Sequence, residues 1–496
     1  MWLGVVTVSA ADETLQAVRR HRDTLLNDPQ RPAYHFVTPE SYCMPFDPNG
    51  AIYWKGKYHL FYIFQDERGH CWGHASSVDL LHWRFHPPAL FPSPGDPDQG
   101  IFSGNAFVNK EGQAVLLYHG VNAGNCIAVS AEDDLVHWQK LPSNPIVPNP
   151  KEGDPDFGKY QSWDPHGWLE EGTYHAIFGG NPATLFRSPD MIHWTFQNKF
   201  LASDLPGVDP DEDISCPDFF PLGGKHMLLC ISHKRGCRYY LGHWRDGRFY
   251  PETHARMNWP GGTCFAPESL LDGQGRRIMW AWVLDRLPES EIQRAGWSGT
   301  MTLPRVLSLG EDHLLRIDPA EELARLRMNP RKIENLTVEP GREKVLDEVR
   351  GDSLEMEIEI DPGDARQFGL KVRCSPDGRE QTVIICDRNA QALQIDCGRS
   401  SLTPGIVYRT FCMYGGENPP VTAQSAPFAL QPGEPLRLRI FIDHSILEVF
   451  ANRRQCLTQR IYPSREDSLG VSLFSNDAPV NVKSLSVWTM APANPW

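Results

Sequence analysis

No stretch of this sequence approaches the roughly 18 consecutive apolar residues that a membrane-spanning helix needs. Its first ten residues, Met1 to Ala10, show neither the basic start nor the long apolar core of a signal peptide, and a cytoplasmic chain without a membrane partner is expected. Basic runs are missing too. The 48 Lys and Arg are outnumbered by 62 Asp and Glu, a net charge of −14, so nothing on the chain invites a phosphate backbone and nucleic acid is not an expected partner. The twelve cysteines contain no CxxC pair, and most lie in apolar runs such as Leu228-Leu229-Cys230-Ile231, which is the pattern of reduced core thiols. No phosphate-cradling glycine loop and no nucleophile elbow occurs. His70 and His74 have a spacing a metal could use, as do His233 and Cys237, but neither pair has an evident third ligand. No metal and no cofactor is expected.

What the chain does have is length, turns and rings. Its 496 residues are 41% hydrophobic and 10% aromatic, with 42 Pro and 41 Gly, a composition suited to short strands joined by many turns. Three segments share one pattern: Ser77 to Trp83, Asp133 to Trp138 and Ser188 to Trp194, each ending in His-Trp, with the tryptophans 55 and 56 residues apart. Tyr240 to Trp244 reads as a degenerate fourth copy. In step with them run five hairpins, each an apolar strand, a glycine turn and a second apolar strand, with the turns at Gly56, Gly112, Gly172, Gly224 and Gly275. A unit of this length holds about four strands and cannot bury both faces alone. The expected fold is all-β, a five-bladed β-propeller over residues 36–318.

The propeller is flanked on both sides. Residues 1–35 form an N-terminal segment in which Leu15, Val18, Leu25 and Leu26 mark an amphipathic helix packed on the outside. Residues 319–344 read as a linker with a short helix. From 345 to 496 the pattern changes to strict alternation, as in Leu354-Glu355-Met356-Glu357-Ile358-Glu359-Ile360, which indicates a C-terminal β-sandwich.

Propeller ligands bind near the axis, so equivalent positions counted back from each turn glycine are candidates for chemistry. Eight or nine residues before the glycines lie Asp47, Ser103, Asp164, Ser215 and Pro267 beside Glu268. Carboxylates converging among aromatic rings are the equipment of glycoside cleavage, one as nucleophile and one as acid/base.

Several ordered motifs then resemble glycoside hydrolase family 32, which contains invertases, inulinases, levanases and related fructosyltransferases. They are Asp47-Pro48-Asn49-Gly50, Tyr58 to Tyr62, Trp72 to Ser76, Phe102-Ser103-Gly104, Cys216 to Leu222, Gly296 to Gly299 with Leu303-Pro304-Arg305, and Asp443 to Phe450. The resemblance implies a retaining double displacement with Asp47 as nucleophile and Asp164 as transition-state stabiliser. It also marks Phe46, Asn49, Gln65, Trp72, Phe102, Ser103, Trp163, Ser215 and Trp297, in or beside these segments, as candidate substrate contacts. The chain departs from the family in three places. Ser215 stands where the family has its acid/base glutamate, Phe46 where it has Asn, and Trp163 where it has Arg. A serine hydroxyl cannot protonate a leaving alkoxide, which leaves Glu268 and Asp213 as candidates for the lost acid. The expected activity is hydrolysis of a β-fructofuranoside or related furanoside in an oligosaccharide or small glycoside. A transferase, a glycosidase of altered specificity and a non-catalytic sugar-binding protein are the alternatives.

Overall fold

The computed structural model describes residues 10–40, 42–413 and 417–494; the start of the chain, on which the signal-peptide reading rests, lies outside them. Five antiparallel sheets follow one another over residues 48–90, 101–148, 165–199, 215–256 and 264–319. Each is a blade whose strands neighbour one another in chain order, and the second carries an additional short strand. The five turn glycines predicted from the sequence all have φ between 74° and 84°, the left-handed region that favours glycine.

The His-Trp repeat is the turn that leads into the fourth strand of a blade. In blade one, Asp79 accepts the backbone N–H of Leu81 and His82 and the His82 ring, and Leu80 has φ 67°. Asp190, His193 and Met191 repeat the arrangement in blade three, while in blade two Glu132 takes the place of the aspartate toward His137. Tyr240 to Trp244, expected as a fourth copy, lies instead inside the strand Gly236–Arg245. Only its closing His243-Trp244 pair resembles the others in sequence.

The five innermost strands are linked to one another by a ring of buried side chains. From blade one to two, Asn49 Oδ1 accepts the Gly104 N–H at 2.9 Å. Asn105 of blade two accepts the Gly167 N–H at 2.8 Å and donates to the Gly167 carbonyl at 2.9 Å in blade three. His166 accepts the Phe219 N–H at 3.3 Å in blade four, and Asp218 accepts the Ser269 hydroxyl in blade five. Glu268 closes the circle by accepting the Ala51 N–H of blade one at 3.1 Å. All five linkers are buried, where a polar group must be paired.

Two six-stranded sheets form the sandwich. Leu354, Met356, Ile358 and Ile360 of the alternating segment enter its core, as the period of two predicts. The residues expected as linker differ. Glu321–Leu326 is the short helix, but Arg327–Val338 is a strand of twelve residues paired along Val480–Met490, its polarity explained by its position at a sheet edge. The sandwich is joined to the propeller through the Asp443 to Phe450 motif. Asp443 accepts the backbone N–H groups of Ala33, Tyr34 and His35 and the His35 ring, all at 2.7–2.8 Å. Glu448 accepts the Leu303 N–H and the Arg305 guanidinium, both at 3.0 Å.

The N-terminal helix forms over Ala10–Leu26, but its apolar side chains do not pack as expected. Leu15, Val18 and Leu26 are exposed, and Leu25 is buried against Val37 and Trp297.

The ring yields a direct expectation for stability. Asn105→Ala leaves the buried N–H and C=O of Gly167 without partners, a loss of about 1–3 kcal/mol for each orphaned group. Urea unfolding followed by tryptophan fluorescence is expected to show that loss, and an unchanged midpoint would mean the staple carries no load.

Candidate active site

At the N-terminal ends of the inner strands, one tier above the ring, the chain places Asp47, Ser103, Asp164 and Ser215. Asp47 directly precedes the strand Pro48–Trp54, and Asp164 precedes Pro165–Glu170. The Asp47 backbone is held by its own blade, its carbonyl accepting the Ile63 N–H at 3.1 Å and the Asn49 amide at 2.7 Å. Its carboxylate accepts the Ser103 hydroxyl at 2.8 Å. Asp164 accepts the Cys216 N–H at 3.0 Å. The two carboxylates meet at the Cys216 sulfur, which is 3.7 Å from Oδ2 of each and 3.5 Å from the Ser103 hydroxyl.

Cys216 reaches that place through a bulge. The pairing of blade four slips between Ser215 and Asp218, and Cys216 has φ 45°; bulges of this kind redirect side chains at the ends of sheets. Blades one and five slip in the same way, with φ 54° at Gly50 and 42° at Ala266.

Above the carboxylates runs a second, connected set of groups. Trp163 Nε1 donates to the Ser215 hydroxyl at 3.0 Å, and that hydroxyl donates to Asp213 Oδ2 at 3.0 Å. The same Asp213 oxygen meets His233 Nδ1 at 2.6 Å, while Oδ1 accepts the His233 backbone N–H at 3.0 Å. An arc of rings runs along the rim. His70 meets Phe102 edge-on with centroids 4.7 Å apart, Phe102 is 6.3 Å from Trp163, and His233 is 6.5 Å from both Trp163 and Phe265.

Burial dominates the electrostatics. It pushes Asp47 up against the opposing pull of Ser103, His233 and Cys216, and it pushes Asp164 up to about 7 against the Cys216 N–H and the His233 charge. The Cys216 thiol is driven well up by burial and by both carboxylates, so it stays protonated. His233 goes the other way from what its burial alone would do: the Asp213 hydrogen bond and the charges of Asp213, Asp164 and Asp47 raise it. Asp213 is correspondingly held below the ordinary carboxylate value, because its bonds to His233 and Ser215 outweigh burial.

This arrangement has a family. The model of the glycosyl hydrolases family 32 N-terminal domain matches residues 35–319, and that of the family 32 C-terminal domain matches residues 322–489. The chain belongs to glycosyl hydrolase family 32. Sucrose-6-phosphate hydrolase of Zymomonas mobilis is 30% identical over 98% of this chain and 96% of its own length. Levanase of Bacillus subtilis is also 30% identical, over 92% of this chain and 70% of its own. The crystal structure of fructan 1-exohydrolase IIa from Cichorium intybus superposes with a TM-score of 0.80 over 94% of this chain and 98% of its own, at 24% identity, a likeness of fold. The chain is a glycosidase of this family.

Against the family pattern, the residues expected in the site divide. Asp47, Asp164, Ser103, Trp163, Ser215 and Asp213 are brought together. Gln65 and Phe102 stand at the rim, Gln65 within 2.7 Å of His70. Four expected contacts lie elsewhere. Asn49 is a staple of the ring. Phe46 is fully buried against Phe36 and Tyr62, and Trp72, equally buried, donates to the Phe102 carbonyl at 3.1 Å. Trp297 packs on the N-terminal helix and donates to Asp28.

Glu268 is likewise one tier too low for the role foreseen. Glu268 lies seven residues before Gly275, the same count that separates the ring residues Asn49 and Asn105 from Gly56 and Gly112, whereas Asp47, Ser103 and Ser215 stand nine before their glycines. By strand pairing, Phe265 is the counterpart of Ser215, and Glu268 is the counterpart of Asp218. There Glu268 and Asp218 share the charge of the buried Arg277, and burial together with Asp218 raises the Glu268 carboxyl strongly. His233, noted in the sequence only for its spacing from Cys237, was missed as the partner of Asp213 because it belongs to the turn between the second and third strands of its blade, twenty residues from that partner, outside the inner-strand count. The only sequence signal for it was the acidic run from Asp209 to Asp213.

Glutamine keeps the shape of Glu268 and an oxygen that can accept the Ala51 N–H. Glu268→Gln is therefore expected to fold and to keep turnover within a few-fold of the wild type, measured as kcat/KM on a furanoside substrate. A loss of about 10²-fold or more, the scale of a missing acid/base, would return Glu268 to the catalytic tier.

Proposed function

We propose that this glycosidase removes terminal β-fructofuranosyl units from small saccharides by retaining double displacement, with Asp47 as nucleophile and Asp164 holding sugar hydroxyls. The observation that carries the reading is the convergence of the two carboxylates on the Cys216 sulfur at the axis. Retention needs two steps on one face of the sugar, and a carboxylate fixed at backbone and side chain is suited to both attack and departure. Near-complete burial of both acids leaves room for a chain end rather than the middle of a polymer. The names of the relatives agree with this substrate class.

The departures adjust the glycone pocket. Trp163 brings an indole with its N–H committed to Ser215, where the family has a cationic side chain, so one polar sugar contact is replaced by a flat apolar face. Phe46 contributes no face, being sealed in the core. Selectivity is thus expected to tolerate change at the hydroxyl that the arginine would hold.

Two measurements test the reading. Asp47→Asn, checked for folding by circular dichroism, is expected to lose turnover of β-fructofuranosides to below detection, because the covalent step needs an ionised carboxylate. Near wild-type turnover by the folded variant would remove the assignment. The second is the pH profile. Asp164 must be ionised to accept sugar hydroxyls and is pushed up to about 7 by burial, so kcat/KM is expected to rise with pH through about 7, and Asp164→Asn to lose that limb along with most of the rate.

A further inference from the structure

Double displacement also needs a proton donor for the leaving oxygen, and none of the three groups at the expected places can serve. The Ser215 hydroxyl is committed to Asp213 and receives Trp163. Asp213 has both oxygens occupied, Oδ1 by the His233 N–H and Oδ2 by Ser215 and the His233 ring. Glu268 lies in the ring below. We propose that His233, anchored by Asp213, is the acid/base of this enzyme, acting from the turn of blade four in place of the glutamate that family members carry at position 215. This rests on the reading of Asp47 as nucleophile.

The geometry assigns the roles. With Nδ1 held by Asp213 at 2.6 Å and its backbone N–H held by the other oxygen, the imidazole is fixed at two points, and Nε2 is the nitrogen directed away from the anchor. Anchoring one ring nitrogen on a carboxylate sets the tautomer and orientation of the other. The serine that removes the family carboxylate is part of the replacement, since its hydroxyl donates to the anchor. The charges that face the ring come from three blades: Asp213 of its own, Asp164 of blade three and Asp47 of blade one. Its turn neighbours Lys234 and Arg235 are drawn off by Asp211 and Asp209. An imidazolium among these carboxylates is favoured over a third carboxyl group.

The chemistry balances with no further reagent. Asp47 attacks the anomeric carbon, the bond from that carbon to the leaving oxygen breaks, and the proton on His233 Nε2 passes to the oxygen. The neutral imidazole then takes a proton from water as the water oxygen attacks the anomeric carbon and the ester bond to Asp47 breaks. Carboxylate and imidazolium are restored. Asp213 is a positioning residue throughout.

The test compares methyl and para-nitrophenyl β-D-fructofuranoside, which share a glycone and differ in leaving group. His233→Gln is expected to lose about 10²–10⁴-fold in kcat/KM on the methyl glycoside and much less in the first step on the nitrophenyl one. A fructosyl adduct is then expected to accumulate on the Asp47 peptide, and azide, a nucleophile that needs no base, to restore turnover with formation of β-fructofuranosyl azide. In the wild type the rate is expected to fall as pH rises through the raised His233 pKa, because the acid must be protonated; His233→Gln is expected to lose this alkaline limb. Asp213→Asn, which removes the supporting charge, is expected to move the limb to lower pH, and it serves as the readout should His233→Gln not fold. Equal losses on both glycosides without azide rescue, an unmoved limb in Asp213→Asn, or near wild-type hydrolysis of the methyl glycoside by His233→Gln would each overturn the assignment while leaving Asp47 as nucleophile. If the wild type turned over neither glycoside, the proposed substrate class would fall and His233 with it.

Discussion

Five inner strands packed side by side around an axis leave their edges facing one another without a continuous hydrogen-bonded ladder between blades. The ring of Asn49, Asn105, His166, Asp218 and Glu268 supplies what the ladder would have supplied, a side-chain bond to a neighbouring backbone or side chain at each junction and two from Asn105. Everything above the ring depends on it. Asn49 shows the dependence most directly, since the same side chain that reaches the Gly104 N–H also donates to the carbonyl of Asp47. The nucleophile's backbone and the joint between blades one and two are thus fixed together.

The ring also explains how the site was partly legible in the sequence. Asp47, Ser103, Asp164 and Ser215 were found because each stands eight or nine residues before its turn glycine. Blade five has no carboxylate at that count, and Glu268, seven residues before its glycine as Asn49 and Asn105 are before theirs, was taken for a member of the upper tier when it belongs to the lower. Both tiers want a buried polar residue, so residue type alone does not separate them; register does, and the bulges that set register leave no mark beyond Gly50, Cys216 and Ala266 at positive φ. Aromatic residues misled for a related reason. Phe46, Trp72 and Trp297 satisfy a core as well as a sugar face, whereas Trp163 and Phe102 are distinguished only by their place on the rim.

The fold was easier to read than the site because its signals are periodic. Five glycine turns, three His-Trp turns and the period of two after residue 345 each repeat, and each survives in the structure. Elements that occur once fared worse. The strand Arg327–Val338 resembled a linker because an edge strand exposed on most of its length carries polar residues. The N-terminal helix shows the converse, with the right periodicity and little of its apolar face covered.

His233 brings these threads together. Its partner is twenty residues away across a strand pair, so no local spacing announces it, and the family pattern points to position 215 instead. Yet replacing a glutamate by a histidine at such a site changes the kind of acid, from a neutral donor that becomes an anion to a cation that becomes neutral. A glutamate there would become a carboxylate beside the buried Asp164 in the same step that turns Asp47 into an ester. An imidazole returns to its neutral form there and costs less to regenerate, since no new negative charge is created in a place of low dielectric. The substitution therefore removes one like-charge interaction from the catalytic cycle and adds an attractive one, with Asp47 and Asp164 holding the imidazolium form. On this argument the loss of the family glutamate is half of an exchange, and the half-buried Asp213 that anchors His233 at two points is the other half.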